Sequence, residues 1–113
     1  MTVAPRRGFL YFARLDKRRP VLVISANARN AGATDVLVIP CSTVLAAAPT
    51  HVRLRKGEAG IGATSILKCE QLGVLRKEDL DPSPLGSSLS ELRLREVERA
   101  VLRAIGVPVP LEN

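Results

Sequence analysis

The stretch Lys17-Arg18-Arg19-Pro20-Val21-Leu22-Val23-Ile24-Ser25 joins three consecutive cations to an apolar run through a single proline. Charged side chains do not enter a core unpaired, whereas the apolar run fits almost only in a core. We therefore expect a buried strand over residues 21–25, with Pro20 at its first position and the cations held at its mouth. A guanidinium fixed in this way can bind a phosphate; a charge cluster that only confers solubility is the alternative interpretation.

Other short segments in the first 75 residues have the alternation or the continuous apolar character of β-strands. The predicted strands cover residues 8–15, 35–39, 51–55, 65–71 and 73–75. Alternate residues of the first strand share one face, namely Phe9, Tyr11, Ala13 and Leu15. In the strand 51–55, Val52 and Leu54 point inward, so His51 and Arg53 are expected on the exposed face.

The segments between these strands have the composition of turns and loops. Pro40 is expected to end the strand 35–39, which leaves Cys41-Ser42-Thr43 just beyond a buried strand end. Residues 27–32 have turn chemistry, and residues 56–63 contain three glycines and predict a loop. This loop is not a P-loop, because no Gly-Lys-Ser/Thr precedes a helix.

A Pro/Ser-rich segment over residues 81–88 leads into one predicted helix at about residues 89–105. Ser88 and Glu91 have the spacing of a capping box, and Gly106 and Pro108 end the helix. One face of the helix is apolar; it comprises Leu94, Val97, Val101, Ala104 and Ile105. The pattern predicts a single, mainly β domain over residues 1–113, with a small bent sheet or barrel at about 7–80 and a C-terminal α-helix.

Net charge and aromatic content limit the kinds of partner that the protein can bind. The formal net charge is +6, and the excess of cations lies in the N-terminal half, which favours an anionic partner such as nucleic acid. Aromatic residues are only 3% of the chain, too few for a single-strand binder built on stacked rings. No signal peptide and no membrane-length apolar run is visible, so we expect a cytoplasmic protein with no membrane contact.

Two cysteines and one histidine are too few for a metal site, and we expect no cofactor. Cys41 and Cys69 each lie in an apolar run and are expected to be buried, reduced thiols. Because His51 is the only histidine, hydrolysis of RNA by a histidine pair is excluded. Glu70 is either a paired structural carboxylate or an acid–base group.

Three polar groups remain that a barrel could bring to one rim: the basic triplet, Ser42-Thr43 and Glu70-Gln71. A guanidinium and a hydroxyl at one phosphate suit cleavage of RNA by its own 2′-hydroxyl, because the substrate already contains the nucleophile. The protein then needs only to orient the 2′-oxygen and stabilise the charge of the phosphorane.

Four segments in this order and spacing resemble the MazF/PemK family of toxin endoribonucleases. They are Arg-Pro-Val-Leu-Val-Ile-Ser at 19–25, Val-Ile-Pro-Cys-Ser-Thr at 38–43, Pro-Thr-His-Val at 49–52 and Ser-Ile-Leu-Lys-Cys-Glu-Gln at 65–71. The resemblance implies an SH3-like small β-barrel of the CcdB/MazF type that works as a homodimer. It also implies metal-independent cleavage of single-stranded RNA to 2′,3′-cyclic phosphate and 5′-hydroxyl ends, and inhibition by an acidic, MazE-like antitoxin.

The resemblance assigns site residues position by position. Arg19 corresponds to the catalytic arginine and Ser42 to the catalytic threonine, with Thr43 as the alternative hydroxyl. Pro49, Ser65 and Gln71 match RNA-contacting positions. We add Lys17, Arg18, His51 and Glu70 as candidate RNA-binding residues.

The chain departs from the family pattern between the first strand and Arg19. Relatives have a long loop there, whereas only Asp16-Lys17-Arg18 follow Leu15 in this sequence. A more open and more basic groove predicts looser sequence specificity and steep salt dependence. The competing hypothesis is a non-catalytic MazF/CcdB-like barrel that binds RNA or a protein target such as gyrase.

Overall fold

A long central strand connects the two halves of the fold in the computed structural model, which describes residues 3–14 and 17–110. The strands are β1 (Leu10–Arg14), β2 (Arg18–Val23), β3 (Asp35–Ser42), β4 (His51–Leu54), β5 (Ser65–Lys68) and β6 (Gly73–Arg76). The helices are α1 (Asn27–Gly32) and α2 (Glu91–Ala104). Short 3-10 turns occupy Glu58–Gly60, Cys69–Gln71 and Lys77–Asp79.

All strand pairs are antiparallel, in the order β1-β2-β3-β5-β4, and β6 also pairs with β3. An isolated bridge between Ala13 and Leu80 draws the chain after β6 against β1. The sheet therefore curls into a barrel-like form without closing through a continuous ladder. The mainly β class with a C-terminal helix is confirmed.

The two faces of the sheet bury different cores, because opposed residues of an antiparallel pair share a face. One core contains Leu22, Ile39 and Leu67 and lies beneath α2, which contributes Val97 and Ala100. The second core lies inside the curl of β1, β2, β3 and β6, and contains Tyr11, Ala13, Val21, Val23, Val36, Val38 and Leu80. Phe9 packs against this second core, as its predicted common face with Tyr11 and Ala13 requires. Leu10 is fully buried on the opposite face, so β1 is apolar on both sides.

The segment 81–90 runs beside β1 and connects the barrel to α2. The amides of Asp81, Leu85 and Leu89 donate to carbonyls of β1 and the residues before it, at 2.8–2.9 Å. Gly60 packs against this segment with φ +86°, and a Cβ there would lie 2.4 Å from the carbonyl oxygen of Leu85. The close approach and the left-handed backbone together require glycine.

Helix α2 begins two residues later than the predicted capping box. Ser90, not Ser88, is the N-cap, and its hydroxyl accepts from the amide of Arg93 at 3.2 Å. The predicted apolar face is buried or half-buried at Leu94, Val97 and Val101. The prediction was wrong for Ala104 and Ile105, which are exposed at the end of the helix, Ile105 by 67%. No helix within the described residues is long and apolar enough to cross a membrane.

Both prolines that were expected to bound strands lie inside them. Strand β2 begins at Arg18, so Pro20 is its third residue and pairs with Phe12 of β1. At this point β2 has only β1 beside it, so a missing N–H is tolerated. Pro40 lies within β3 and pairs with Val21 in the last rung of the β2–β3 ladder.

Further predictions of element type and element ends were also wrong: β1 begins at Leu10, β2 ends at Val23 and β3 continues to Ser42. Residues 27–32 form the short helix α1 rather than a turn, closed by the amide of Ala33 donating to Arg29 at 2.9 Å. The strand predicted over 65–71 ends at Lys68, and Glu70 lies in a 3-10 turn. β4 ends at Leu54 and β6 extends to Arg76. Leu15 and Asp16, which include the end of the first predicted strand, lie outside the described residues.

Candidate active site and nucleic-acid interface

Arg19 and Ser42 lie on the same face of two strands that separate from each other. The β2–β3 ladder ends at the pair Val21 and Pro40; beyond it β2 continues with β1, whereas β3 continues with β5. If the β2–β3 register is extended by two residues in each strand, Arg19 falls opposite Ser42. We call the region between these diverging strand ends, with Arg19 on β2 and Ser42 on β3, the cleft.

Alternation along β2 divides the basic triplet. Arg18 lies on the face opposite to Arg19, where it forms an ion pair with Asp81, and its guanidinium carbon is 4.3 Å from the centroid of the Phe12 ring. Arg19 is exposed, and no carboxylate in the described part of the chain pairs with it. Lys17 is exposed just before β2. Arg19 is therefore the member of the triplet that is available on the Ser42 face.

The Ser42 hydroxyl has a defined orientation. Its oxygen accepts a hydrogen bond from the amide of Val44 at 3.1 Å, in an ST turn at the end of β3. Because the amide uses an oxygen lone pair, the hydroxyl hydrogen remains free to donate to a ligand oxygen. Thr43 is exposed in the following loop.

A row of side chains extends the Ser42 face across β5 and β4. Ser42 pairs with Ile66, which pairs with Arg53, so these three residues share the face that α2 does not cover. Lys68 and His51 form the neighbouring pair on this face. A small cavity of about 130 Å³ lies between Ile66 and the loop residues 45–48. The row adds one exposed cation, Arg53, and one half-buried cation, Lys68, beside the Arg19–Ser42 cleft.

His51 is not the exposed side chain that alternation predicted, since only 11% of it is accessible. Its Nδ1 lies 2.8 Å from the carbonyl oxygen of Ala46, and its Nε2 lies 3.1 Å from Oε2 of Glu70. The Thr50 hydroxyl donates to Oε1 of the same carboxylate at 3.0 Å. Glu70 is thus a paired carboxylate, one of the two predicted alternatives.

The ionisation of this pair follows from its contacts. The hydrogen bond to the Ala46 carbonyl raises the pKa of His51, partial burial opposes the rise, and Glu70 adds to it. Partial burial works against ionisation of Glu70, but hydrogen bonds from its own backbone amide, His51 and Thr50 lower its pKa. The two shifts favour an imidazolium–carboxylate pair.

The remaining predicted site residues divide between surface and interior. Gln71 is exposed at the end of the Cys69–Gln71 turn, and Pro49 is exposed while its carbonyl accepts from Arg103 of α2 at 3.4 Å. Ser65 is only 3% exposed, and its hydroxyl donates to the Ala63 carbonyl at 2.8 Å. Pro49 and Gln71 are therefore accessible at the surface, whereas Ser65 is not.

The cysteines contribute no reactive thiol to this cleft. Both are buried and free, as predicted. Burial raises the pKa of Cys41 to about 12, as it does for Cys69. A thiol held protonated in this way is a poor nucleophile.

Sequence reasoning did not assign Arg53, Lys68 or Arg103 to the site. Alternation along β4 already directed Arg53 outward, so its charge was the available signal. Lys68 and Arg103 gave no such signal, because their relation to the cleft depends on strand pairing and on the packing of α2.

The comparisons with known proteins agree on one family. The family model described as "PemK-like, MazF-like toxin of type II toxin-antitoxin system" matches residues 6–105. The chain is 30% identical over 111 residues to Endoribonuclease MazF1 of Mycobacterium bovis, covering 95% of this chain and 98% of the relative. Endoribonuclease MazF4 of Mycobacterium tuberculosis is similar to the same extent.

Solved structures agree with these sequence relatives. An endoribonuclease in complex with its cognate antitoxin, from a mycobacterial species, superposes with a TM-score of 0.81 and 28% identity. The match covers 95% of this chain and 100% of that one.

Proposed function

This chain belongs to the family of PemK-like, MazF-like toxins of type II toxin–antitoxin systems, and from that premise we propose its activity in detail. It is an endoribonuclease that cleaves single-stranded RNA without a metal ion, leaving 2′,3′-cyclic phosphate and 5′-hydroxyl ends. Cleavage of mRNA in the cytoplasm would inhibit translation. The observation that carries the proposal is that Arg19, which is exposed, and Ser42, whose hydroxyl is oriented by the amide of Val44, lie on the same face of two diverging strands.

The chemistry requires little from the protein. The 2′-hydroxyl of the substrate loses its proton to water as its oxygen attacks the adjacent phosphorus. The bond to the 5′-oxygen then breaks and that oxygen takes a proton from water, so no protein nucleophile is needed. Arg19, a permanent cation, stabilises the negative charge of the phosphorane and can donate two parallel hydrogen bonds to its oxygens. Ser42 donates its free hydroxyl hydrogen to a phosphate oxygen. Serine supplies the same donor as threonine, and the Val44 amide supplies the orientation that a missing methyl group would otherwise give.

RNA binding uses the exposed and half-buried groups around the cleft. Lys17, Arg53 and Lys68 provide phosphate contacts, and Thr43, Pro49 and Gln71 provide polar or backbone contacts to bases. Arg18 contributes mainly as a distant positive charge, since it faces away and is paired with Asp81. Binding through phosphates predicts an affinity that falls steeply as salt concentration rises.

The proposed assembly is a homodimer that an acidic, MazE-like antitoxin inhibits by occupying the basic cleft. The support is the mycobacterial relative, which was solved as an endoribonuclease with its cognate antitoxin. The net charge of +6 is complementary to an acidic inhibitor.

The decisive experiment compares two adjacent arginines. Wild-type protein should cut single-stranded RNA in EDTA, and the new 5′ ends should accept phosphate from a polynucleotide kinase without prior phosphatase treatment. Arg19→Ala should lower kcat by about 10²–10³. Arg18→Ala removes the same charge from the opposite face, and should weaken binding while changing kcat by less than about 3-fold.

Circular dichroism and thermal unfolding of both variants control for folding. A requirement for Mg²⁺, or full activity of Arg19→Ala, would refute the mechanism. Tight RNA or protein binding without a cyclic-phosphate product would favour the non-catalytic alternative.

A further inference from the structure

Three hydrogen bonds, joined through the backbone of Ala46 and Val44, form a chain from His51 to the hydroxyl of Ser42. His51 Nδ1 contacts the carbonyl of Ala46 at 2.8 Å, and the amide of Ala46 donates to the carbonyl of Val44 at 3.0 Å. The amide of Val44 in turn donates to Ser42 Oγ at 3.1 Å. The orientation of Ser42 therefore depends on the position of the loop that His51 holds.

The two partners of the His51 ring specify its protonation. A backbone carbonyl only accepts, so Nδ1 must carry a hydrogen. The Glu70 carboxylate already accepts from the Thr50 hydroxyl, and it accepts from Nε2 when ionised. Both contacts are satisfied together only by the imidazolium; a neutral ring loses one of them.

The other elements around His51 also place charges near it. Lys68 lies opposite His51 on β5 and disfavours the imidazolium, and Arg53 follows two residues later on the same face of β4. Arg103 of α2 holds the far end of the loop through the Pro49 carbonyl. Glu70 is the carboxylate that contacts the ring directly. The balance of these charges makes the loop sensitive to the protonation of one ring.

We propose that His51 is a positioning residue for RNA cleavage: as an imidazolium bound to Glu70 and to the Ala46 carbonyl, it holds the loop 43–50 in the conformation that orients the Ser42 hydroxyl. This assigns His51 a role through Ser42 instead of the direct RNA contact expected from sequence. The proposal rests on the proposed function, because its consequence is a rate of cleavage. Deprotonation of His51 removes one of the two contacts that fix the ring, and the loop that the ring holds then orients Ser42 less well.

Two substitutions separate the contacts of the ring. The amide nitrogen of Asn occupies roughly the place of Nδ1, so His51→Asn keeps a donor for Ala46 and has no titrating group. His51→Gln reaches toward Glu70 and loses the Ala46 contact. We expect His51→Gln to lower kcat about 10-fold to 100-fold with KM changed less than about 3-fold. His51→Asn should remain within about 3-fold of wild type at low pH.

The pH profile gives a readout that a purely structural role would not change. The ratio of wild-type kcat to that of His51→Asn should fall as pH rises through the pKa of His51. A ratio that is independent of pH, or equal kcat losses in both variants, would overturn the proposal.

A double-mutant cycle then tests whether the effect passes through Ser42. In the Ser42→Ala background, His51→Gln should change kcat by less than about 2-fold, because the hydroxyl to be oriented is absent. Multiplicative losses in the double mutant would refute the connection.

NMR of the protein without RNA tests the inference separately from the proposed function. As the only histidine, His51 gives one resolved imidazole titration, and the amide shifts of Val44 and Ala46 should titrate with the same midpoint. If wild type cleaves no RNA at any pH, the proposed function fails, and these shifts still decide whether the hydrogen-bond chain follows the ring. Amide shifts that stay constant through the titration would refute the chain itself.

Discussion

Replacing Leu67 by Ala tests the assignment of the two faces of the sheet. Leu67 is fully buried in β5, paired with Cys41 on one side and Val52 on the other, beneath α2. The substitution removes three carbons, about 2.4 kcal/mol of transfer free energy at about 0.8 kcal/mol for each. The ladders on both sides prevent the backbone from collapsing into the space, so a cavity adds to the loss, and we expect about 3–4 kcal/mol in total.

Leu92 provides the matched control, because it undergoes the same chemical change at a position that is 75% exposed on α2. Only about a quarter of the transfer term applies there, about 0.6 kcal/mol, and the better helix propensity of Ala offsets about 0.2 kcal/mol of it. Leu92→Ala should therefore lower the free energy of unfolding by less than about 0.5 kcal/mol.

Urea denaturation at one fixed protein concentration measures both changes, since any dimerisation would make stability concentration-dependent. A domain of this size has a free energy of unfolding of roughly 6–17 kcal/mol, so Leu67→Ala should be strongly destabilised yet folded. Its Tm should fall by about 12–16 °C. A loss below about 1 kcal/mol with an unchanged m-value, or an equal loss in Leu92→Ala, would show that the helix does not cover this face.

Two other predictions concern helix capping and pH. Ser90→Ala removes the acceptor for the amide of Arg93 and should lower the free energy of unfolding in urea by about 1 kcal/mol. Ser88→Ala should lower it by less. A larger loss in Ser88→Ala would show that Ser88 is the N-cap, as the sequence predicted. Because folding raises the pKa of His51, its stabilising contribution is complete below pH about 6.5 and is lost as pH rises through the folded-state pKa. Because folding lowers the pKa of Glu70, its contribution is present above its unfolded pKa of about 4.3 and is lost as pH falls through the folded value. The difference in unfolding free energy between wild type and His51→Asn should therefore shrink between pH 6 and pH 9 (roughly the titration range of a histidine), and a constant difference would contradict this reasoning.

The strands were predictable in kind because their apolar periodicity reflects burial, but their ends were not. Pro20 and Pro40 were expected to bound strands, since proline cannot complete a ladder on both sides. Each lies instead at a place where its strand loses a neighbour, and strand pairing alone determines where that is. The position of Glu70 could not be predicted for the same reason. It lies in a 3-10 turn that separates β5 from β6, and both of these strands pair with β3.

Some site residues could be named from the sequence, whereas their contacts depend on strand pairing. The basic triplet and Ser42-Thr43 could be recognised from the sequence as polar groups beside buried strands, but charge alone also allowed a cluster that only confers solubility. The resemblance to the MazF/PemK family is what singled out Arg19 and Ser42. The partner of His51 could not be inferred, because Glu70 is 19 residues away and reaches the ring only through the β4–β5 register.

The sequence by itself determined a mainly β domain with one amphipathic C-terminal helix and a basic cluster beside a buried strand, because local periodicity and charge decide which residues can be buried. The tertiary structure alone decided that Arg18 and Arg19 lie on opposite faces of β2 and that Arg19 and Ser42 lie on the same face of two diverging strands. It also placed the Ala46 carbonyl and the Glu70 carboxylate against the two nitrogens of the His51 ring. These relations depend on strand register and on where two strands separate, and both are set by the packing of distant segments against each other.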